Sequence, residues 1–192
     1  MQYDVWAVKV KSNDNFYVTA VSPSAAGALA LKATTPGING YGYKVSIKSS
    51  TDESGKNFTI VGTTVGGAAV TETIAGPNNT TVYTTNYFAK VTSVSTSASG
   101  GSIEVGYGGN LALPMTRIKG LYYVSAASNA GSIIITRNSN SLILLEIDTP
   151  SASSPQVNSL YMAAEGIRTA YSIDDFAVVA VTSVTSVTLI CG

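Results

Sequence analysis

The sequence predicts a mainly β protein of two small β-sandwich or barrel domains preceded by an N-terminal ββα element. Three observations carry the expectation. Charged residues make up 11% of the chain, against about 25% in typical globular proteins, while Ser, Thr and Gly abound alongside Val and Ile. Short runs alternate apolar and polar residues with period two. Turn chemistry separates those runs at close intervals. A length of 192 residues allows one medium domain or two small ones of roughly 70–100 residues each.

Residues 3–10 (Tyr3-Asp4-Val5-Trp6-Ala7-Val8-Lys9-Val10) read as a strand rich in aromatic and β-branched side chains, and residues 16–21 as a second. The polar loop 11–15 between them suggests a hairpin. Ser22-Pro23 then offers an N-cap with proline at the first helical position, and residues 24–33 are rich in Ala and Leu with only Gly27 against them. A short helix is expected there, ended by Pro36-Gly37. A hairpin and a two-turn helix bury little, so residues 1–36 are expected to dock on the next domain or on a neighbouring subunit.

Residues 37–112 form the first expected β domain. Val45 and Ile47 alternate against Lys44, Ser46 and Lys48, and Phe58 and Ile60 share a face. Gly66-Gly67 between two Thr/Val/Ala runs marks a tight hairpin needing positive φ. Gly76-Pro77-Asn78-Asn79 and Gly100-Gly101 are further turns, after which Ile103, Val105 and Tyr107 share a face. Gly108-Gly109-Asn110 and Pro114 mark the boundary to a second domain, residues 113–192. Strands are expected at 121–124, 132–136 and 142–147, with a Ser/Pro-rich loop at 150–155 and a closing hairpin of 176–181 with 184–191.

Composition excludes much chemistry. Without a histidine the chain lacks Ser-His-Asp and Cys-His triads, zincin motifs and most transition-metal sites. A single cysteine, Cys191, forms no intrachain disulfide and no zinc knuckle. No catalytic, cofactor-binding or metal-ligating residue is assigned, and no cofactor is expected. Eleven basic and eleven acidic residues cancel, which leaves no electrostatic footprint for nucleic acid. The apolar stretch 176–192 is broken by Thr182, Ser183, Thr185, Ser186 and Thr188, so no membrane span is expected. The first residues carry no secretory pattern, which leads to an expectation of assembly in a reducing cytoplasm.

Two kinds of residue stand out as candidates. Glu72 lies in period two between Val70 and Ile74, so a core-facing carboxylate is expected there, one that accepts backbone N–H bonds from a neighbouring turn. Tyrosine is the dominant aromatic, with eleven residues, and it clusters at Tyr41/Tyr43, Tyr83/Tyr87 and Tyr122/Tyr123. Tyr and Trp are enriched at protein interfaces, so Trp6, Tyr41, Tyr43, Tyr122 and Tyr123 are interface candidates; a core role competes for Trp6, Tyr41 and Tyr43. Glu146 and Asp148 stand two apart on one strand face, a spacing compatible with a glycosidase pair and equally with a solvated strand end. Asp52-Glu53 and Asp174-Asp175 read as turn and solubility residues.

The stretch Asn57-Phe58-Thr59-Ile60-Val61-Gly62, Gly66-Gly67, Val70-Thr71-Glu72-Thr73-Ile74 with Gly76-Pro77-Asn78, then Phe88, Val91-Thr92-Ser93-Val94 and residues 101–106, resembles a β module of virion proteins of tailed bacteriophages. Gly131-Ser132-Ile133-Ile134-Ile135, residues 142–148, Glu165-Gly166-Ile167-Arg168 and residues 184–189 resemble phage structural modules as well. The resemblance covers about residues 43–192. It implies a non-enzymatic particle component of the capsid cement or decoration type, in contact with the major capsid protein or other virion proteins and itself a homo-oligomer, with a trimer expected. A tail or neck component with a receptor- or glycan-binding role is the alternative. No catalytic residue transfers.

Overall fold

Period-two alternation of apolar residues is realised as strand throughout. The computed structural model describes residues 6–10 (backbone only), 12–36, 40–114, 116–127, 129–151, 153–162, 166–169 and 175–192. Among these are sixteen strands and no helix: β1 (Trp6–Val10), β2 (Asn13–Val21), β3 (Gly27–Ala28), β4 (Gly42–Ser49), β5 (Asn57–Thr63), β6 (Ala69–Ala75), β7 (Thr81–Phe88), β8 (Lys90–Thr96), β9 (Ile103–Leu113), β10 (Arg117–Ser125), β11 (Gly131–Arg137), β12 (Ile143–Thr149), β13 (Val157–Tyr161), β14 (Ile167–Arg168), β15 (Ala177–Thr182) and β16 (Val184–Cys191). The mainly β class therefore holds. The chain forms two compact units, one of β1 with Asn110–Gly192, the other of Ser12–Gly109.

In the Ser12–Gly109 unit, β3-β8-β5-β6 make one antiparallel sheet, while β9-β4-β7, with β2 on β9, make the other. Their inward faces supply one core: Val45 and Ile47 from β4, Phe58 and Ile60 from β5, Val91 and Val94 from β8, and Ile103, Val105 and Tyr107 from β9 are all buried. Val91 and Val94 are three apart, which simple alternation forbids. The pairing shifts between Val61↔Ser93 and Gly62↔Val91, so Thr92 is an extra residue whose bulge turns both valines inward. The β5–β6 hairpin expected at Gly66-Gly67 closes through residues 64–68, with the Thr64 N–H donating to the Ala68 carbonyl at 2.8 Å; of the two glycines only Gly67 takes a positive φ, +87°.

The other unit is built alike. One sheet runs β1-β16-β10-β13, with β14 also on β10; the other strands are β12-β11-β15 and the end of β9, where Leu111 faces Val179. Ile118, Leu121, Ile133, Ile135, Val179, Leu189 and Cys191 are buried between them. A second bulge does the same work as the first: pairing shifts between Ile118↔Cys191 and Gly120↔Ile190, so Lys119 is the extra residue and Ile118 and Leu121 both point inward.

Three expectations fail. Residues 24–33 form no helix. Gly27 sits at φ +148°, β3 pairs with Ser95 and Thr96, and the Leu29 N–H donates to the Val94 carbonyl at 2.8 Å. A ten-residue segment with a central glycine gains too little to offset helix nucleation, whereas the edge of β8 supplies ready backbone partners. The first two strands form no hairpin either: β1 pairs with β16 and β2 with β9, so the expected ββα element is divided between the two units. Finally, β15 pairs with β11 and β9, and β16 with β1 and β10. A single residue, Ser183 at φ +50°, joins β15 to β16, too short a link for a hairpin, and the chain changes sheets there.

Candidate functional site

The residues with chemistry to offer fall into three places: buried carboxylates, a tyrosine core and an exposed sheet edge. Glu72 on β6 is half-buried and accepts hydrogen bonds from the backbone N–H groups of Thr85 at 2.6 Å and Asn86 at 2.9 Å, and from the Asn86 side-chain amide at 2.9 Å. The expected backbone N–H bonds exist, but their donors lie in strand β7 rather than a turn. Since β7 ends its sheet, the carboxylate occupies N–H groups that would otherwise invite another strand.

The carboxylates that are truly enclosed are others. Glu53 is 1% exposed, contrary to the solubility role expected of Asp52-Glu53. It pairs with the Lys56 ammonium and accepts bonds from Thr51 Oγ1 at 2.7 Å and the Gly101 N–H at 2.9 Å. Burial pushes its pKa up, but the bonds from Lys56, Thr51 and Gly101 together outweigh that and hold it below the ordinary carboxylate value. Asp175, 9% exposed, accepts bonds from the backbone N–H of Ser139 at 3.1 Å, the Ser139 hydroxyl at 2.9 Å and the Phe176 N–H at 2.9 Å, with Arg137 Nε at 4.0 Å. Both acids tie loop segments together: Glu53 joins residues 51–56 to the loop before β9, and Asp175 holds the turn after β11 beside the segment that leads into β15. Glu146 and Asp148 lie exposed on β12 opposite Ile134 and Ser132, the geometry of a solvated strand edge.

Tyr41 and Tyr43 are each 2% exposed, which corrects the interface expectation for both: they are core residues. Tyr43 packs on Tyr107 with ring centroids 4.6 Å apart, and Tyr107 meets Phe16 edge-on at 5.1 Å. Burial raises the Tyr17 and Tyr43 phenol pKa values far above the usual, with the neighbouring Tyr107 adding to both. Trp6 stands opposite Cys191 in the β1–β16 ladder; its side chain lies outside the described residues.

Tyr122 and Tyr123 are different. Both lie on β10 beside the terminal strand β13, with Tyr122↔Ser159 and Tyr123↔Asn158 opposite. Tyr122 is 40% exposed and meets Tyr161, 65% exposed, edge-on at 5.9 Å with their hydroxyls in contact. The Tyr122 hydroxyl bond raises the Tyr161 pKa, with burial a smaller cause. Opposite Tyr161 stands Gly120, where a Cβ would approach the Leu160 carbonyl and the Tyr161 ring, so the absent side chain makes room for the aromatic. Val157, 77% exposed, shares the face of Tyr122 and Tyr161, whereas Leu160, 37% exposed, lies on the other face opposite buried Leu121; every residue of β13 is exposed. The result is an apolar and aromatic ledge along a sheet edge. Tyr161, Val157 and Leu160 escape sequence reading because nothing local distinguishes an edge strand with both faces open from one that is half-covered.

Among the described residues no cluster of three or more His, Cys, Asp or Glu could hold a metal ion, and no helix is long and apolar enough to cross a membrane. A scan against protein-family models finds no match to the chain, and a search of curated proteins finds no relative.

Proposed function

We propose that the chain is a non-enzymatic structural protein of a tailed-phage particle that decorates or cements the capsid through protein–protein contacts. The observation that carries this reading is the exposed ledge of Tyr122, Val157 and Tyr161, which share one face at the edge of a sheet. Large apolar and aromatic side chains held out to solvent on rigid strands are the ingredients of a contact surface, and the sequence resemblance supplies the particle. Its partners are the major capsid protein or other virion proteins together with further copies of itself, assembled in the host cytoplasm. Stoichiometry in purified particles tests the proposal: hundreds of copies per particle support a head protein, and absence from the particle overturns it.

The second reading, a tail or neck component that binds a receptor or glycan, is favoured by the exposed Tyr122–Tyr161 pair, because aromatic faces stack on sugars. It predicts three, six or twelve copies per particle and glycan-array binding that Tyr122→Ala abolishes. A hydrolytic activity lost in Glu146→Gln would overturn both.

A further inference from the structure

We infer that β13 is a self-recognition edge, where a second copy of this chain adds its own β13 antiparallel across a two-fold axis at Ser159. The inference rests on the contact role proposed above and names the partner of that surface.

The first ground is the absence of the usual protection. Alternate N–H and C=O groups of a terminal strand point outward and can pair with another strand, and proteins blunt such edges with charge, brevity or a covering group. The other terminal strands described here do so. β12 carries exposed Glu146 and Asp148, β7 has N–H groups occupied by Glu72, β6 carries Glu72 itself, β2 carries Asp14, β3 and β14 are two residues long, and β1 contains Lys9. β13, Val157-Asn158-Ser159-Leu160-Tyr161, has no charge, five residues and no strand on its outer side among the described residues.

The second ground is self-complementarity. A two-fold through Ser159 sets Ser159 against Ser159, Val157 against Tyr161 and Asn158 against Leu160. Aromatic opposite β-branched is a favourable cross-strand pair, whereas like charges opposite one another are not; residues 150–162 contain no charge, so two copies meet without repulsion. The same operation extends the ledge. On one face Val124, Val157, and the second copy's Tyr161 and Gly120 fall in one row, mirrored by Gly120, Tyr161, and the second copy's Val157 and Val124. Between those rows the two Tyr122 rings flank the serine pair. A heterologous strand would match one of these features by accident, while a second copy matches all of them by symmetry. A five-residue strand pair buries less than the roughly 1,200 Å² of a tight interface. Micromolar self-association is therefore expected, strengthened where many copies share a particle.

Sedimentation of the full chain over a micromolar concentration series tests this. Wild-type protein is expected to shift from monomer to dimer. Ser159→Glu and Ser159→Lys should each weaken self-association at least about tenfold, because each sets like charges face to face, and an equimolar mixture of the two should recover it. Ser159 is exposed, so both variants should keep the wild-type circular dichroism and melting temperature. Ser159→Cys should form a disulfide-linked dimer under mild oxidation, as Cα atoms directly opposite in an antiparallel pair lie within disulfide range; buried Cys191 should stay unlinked. A chain that is monomeric at every concentration, or a dimer indifferent to charge at residue 159, overturns the inference. Monomeric chain bound at hundreds of copies per particle would sink the self-pairing and leave the particle role standing; a Ser159-centred dimer absent from particles would do the reverse.

Discussion

At Glu53 a side chain with the composition of a surface turn turns out to be the most enclosed carboxylate described, and its stability contribution has a definite pH sign. The folded-state pKa lies below the unfolded value of 4.5, so the carboxylate contributes stability that is complete above that value and is lost as pH falls through the folded pKa. Glu53→Gln should cost about 2 kcal/mol near neutral pH and should flatten the acid limb of stability; chemical denaturation from pH 7 to pH 3 measures both. Tyr17 presents the opposite case. Its ring is fully buried while its hydroxyl finds no hydrogen-bond partner among the described residues, so Tyr17→Phe should keep the packing and raise stability by about 1 kcal/mol. A lowered denaturation midpoint in Tyr17→Phe would show that the hydroxyl is satisfied after all.

At the scale of elements, two bulges and one corner do what alternation cannot. Thr92 and Lys119 each add a residue that brings side chains three apart onto one face, and Ser183 sends the chain from one sheet to the other. Close approach of backbones sets a further limit. A Cβ at Gly62 would overlap the Lys90 carbonyl and press on the Phe88 ring, so the β5–β8 ladder needs glycine there. Gly62→Ala should destabilise the Ser12–Gly109 unit by about 2 kcal/mol or more, visible as a lower thermal midpoint. The turn at Gly66-Gly67, the strands around Val45, Phe58 and Ile103, and the alternation through Ile133 and Ile135 were readable from sequence, because each depends on neighbours within a few residues. The bulges were not, since an extra residue shows only against the partner strand that counts it.

For the whole molecule, the decisive correction concerns the first residues. Read alone they look like the first arm of a hairpin that docks on the next domain or on a neighbouring subunit; folded, β1 completes a sheet by pairing Trp6–Val10 with Val187–Cys191. Deleting residues 1–10 should therefore destabilise the unit of Asn110–Gly192 rather than trim a tail. The expected readout is native-state labelling of Cys191, which is buried in the intact chain and should become reactive to thiol reagents after the deletion. Unreactive Cys191 in the truncated chain would show that β16 holds its place without β1.

By itself the sequence determined the β class, the main turns and the poverty of reactive groups, because alternation, glycine pairs and composition are local or global counts that need no partner. It also pointed to backbone N–H bonds for Glu72, but placed their donors in a turn where the structure has strand β7. Only the tertiary structure decided that Tyr41 and Tyr43 are core while Tyr122 is surface, that Glu53 and not Glu72 is the enclosed acid, and that residues 24–33 form a loop with the two-residue strand β3 rather than a helix. Each of these depends on what stands opposite in space. A tyrosine is buried or exposed according to whether a second sheet covers its face, and an edge is protected or open according to which strand, carboxylate or second chain lies beside it.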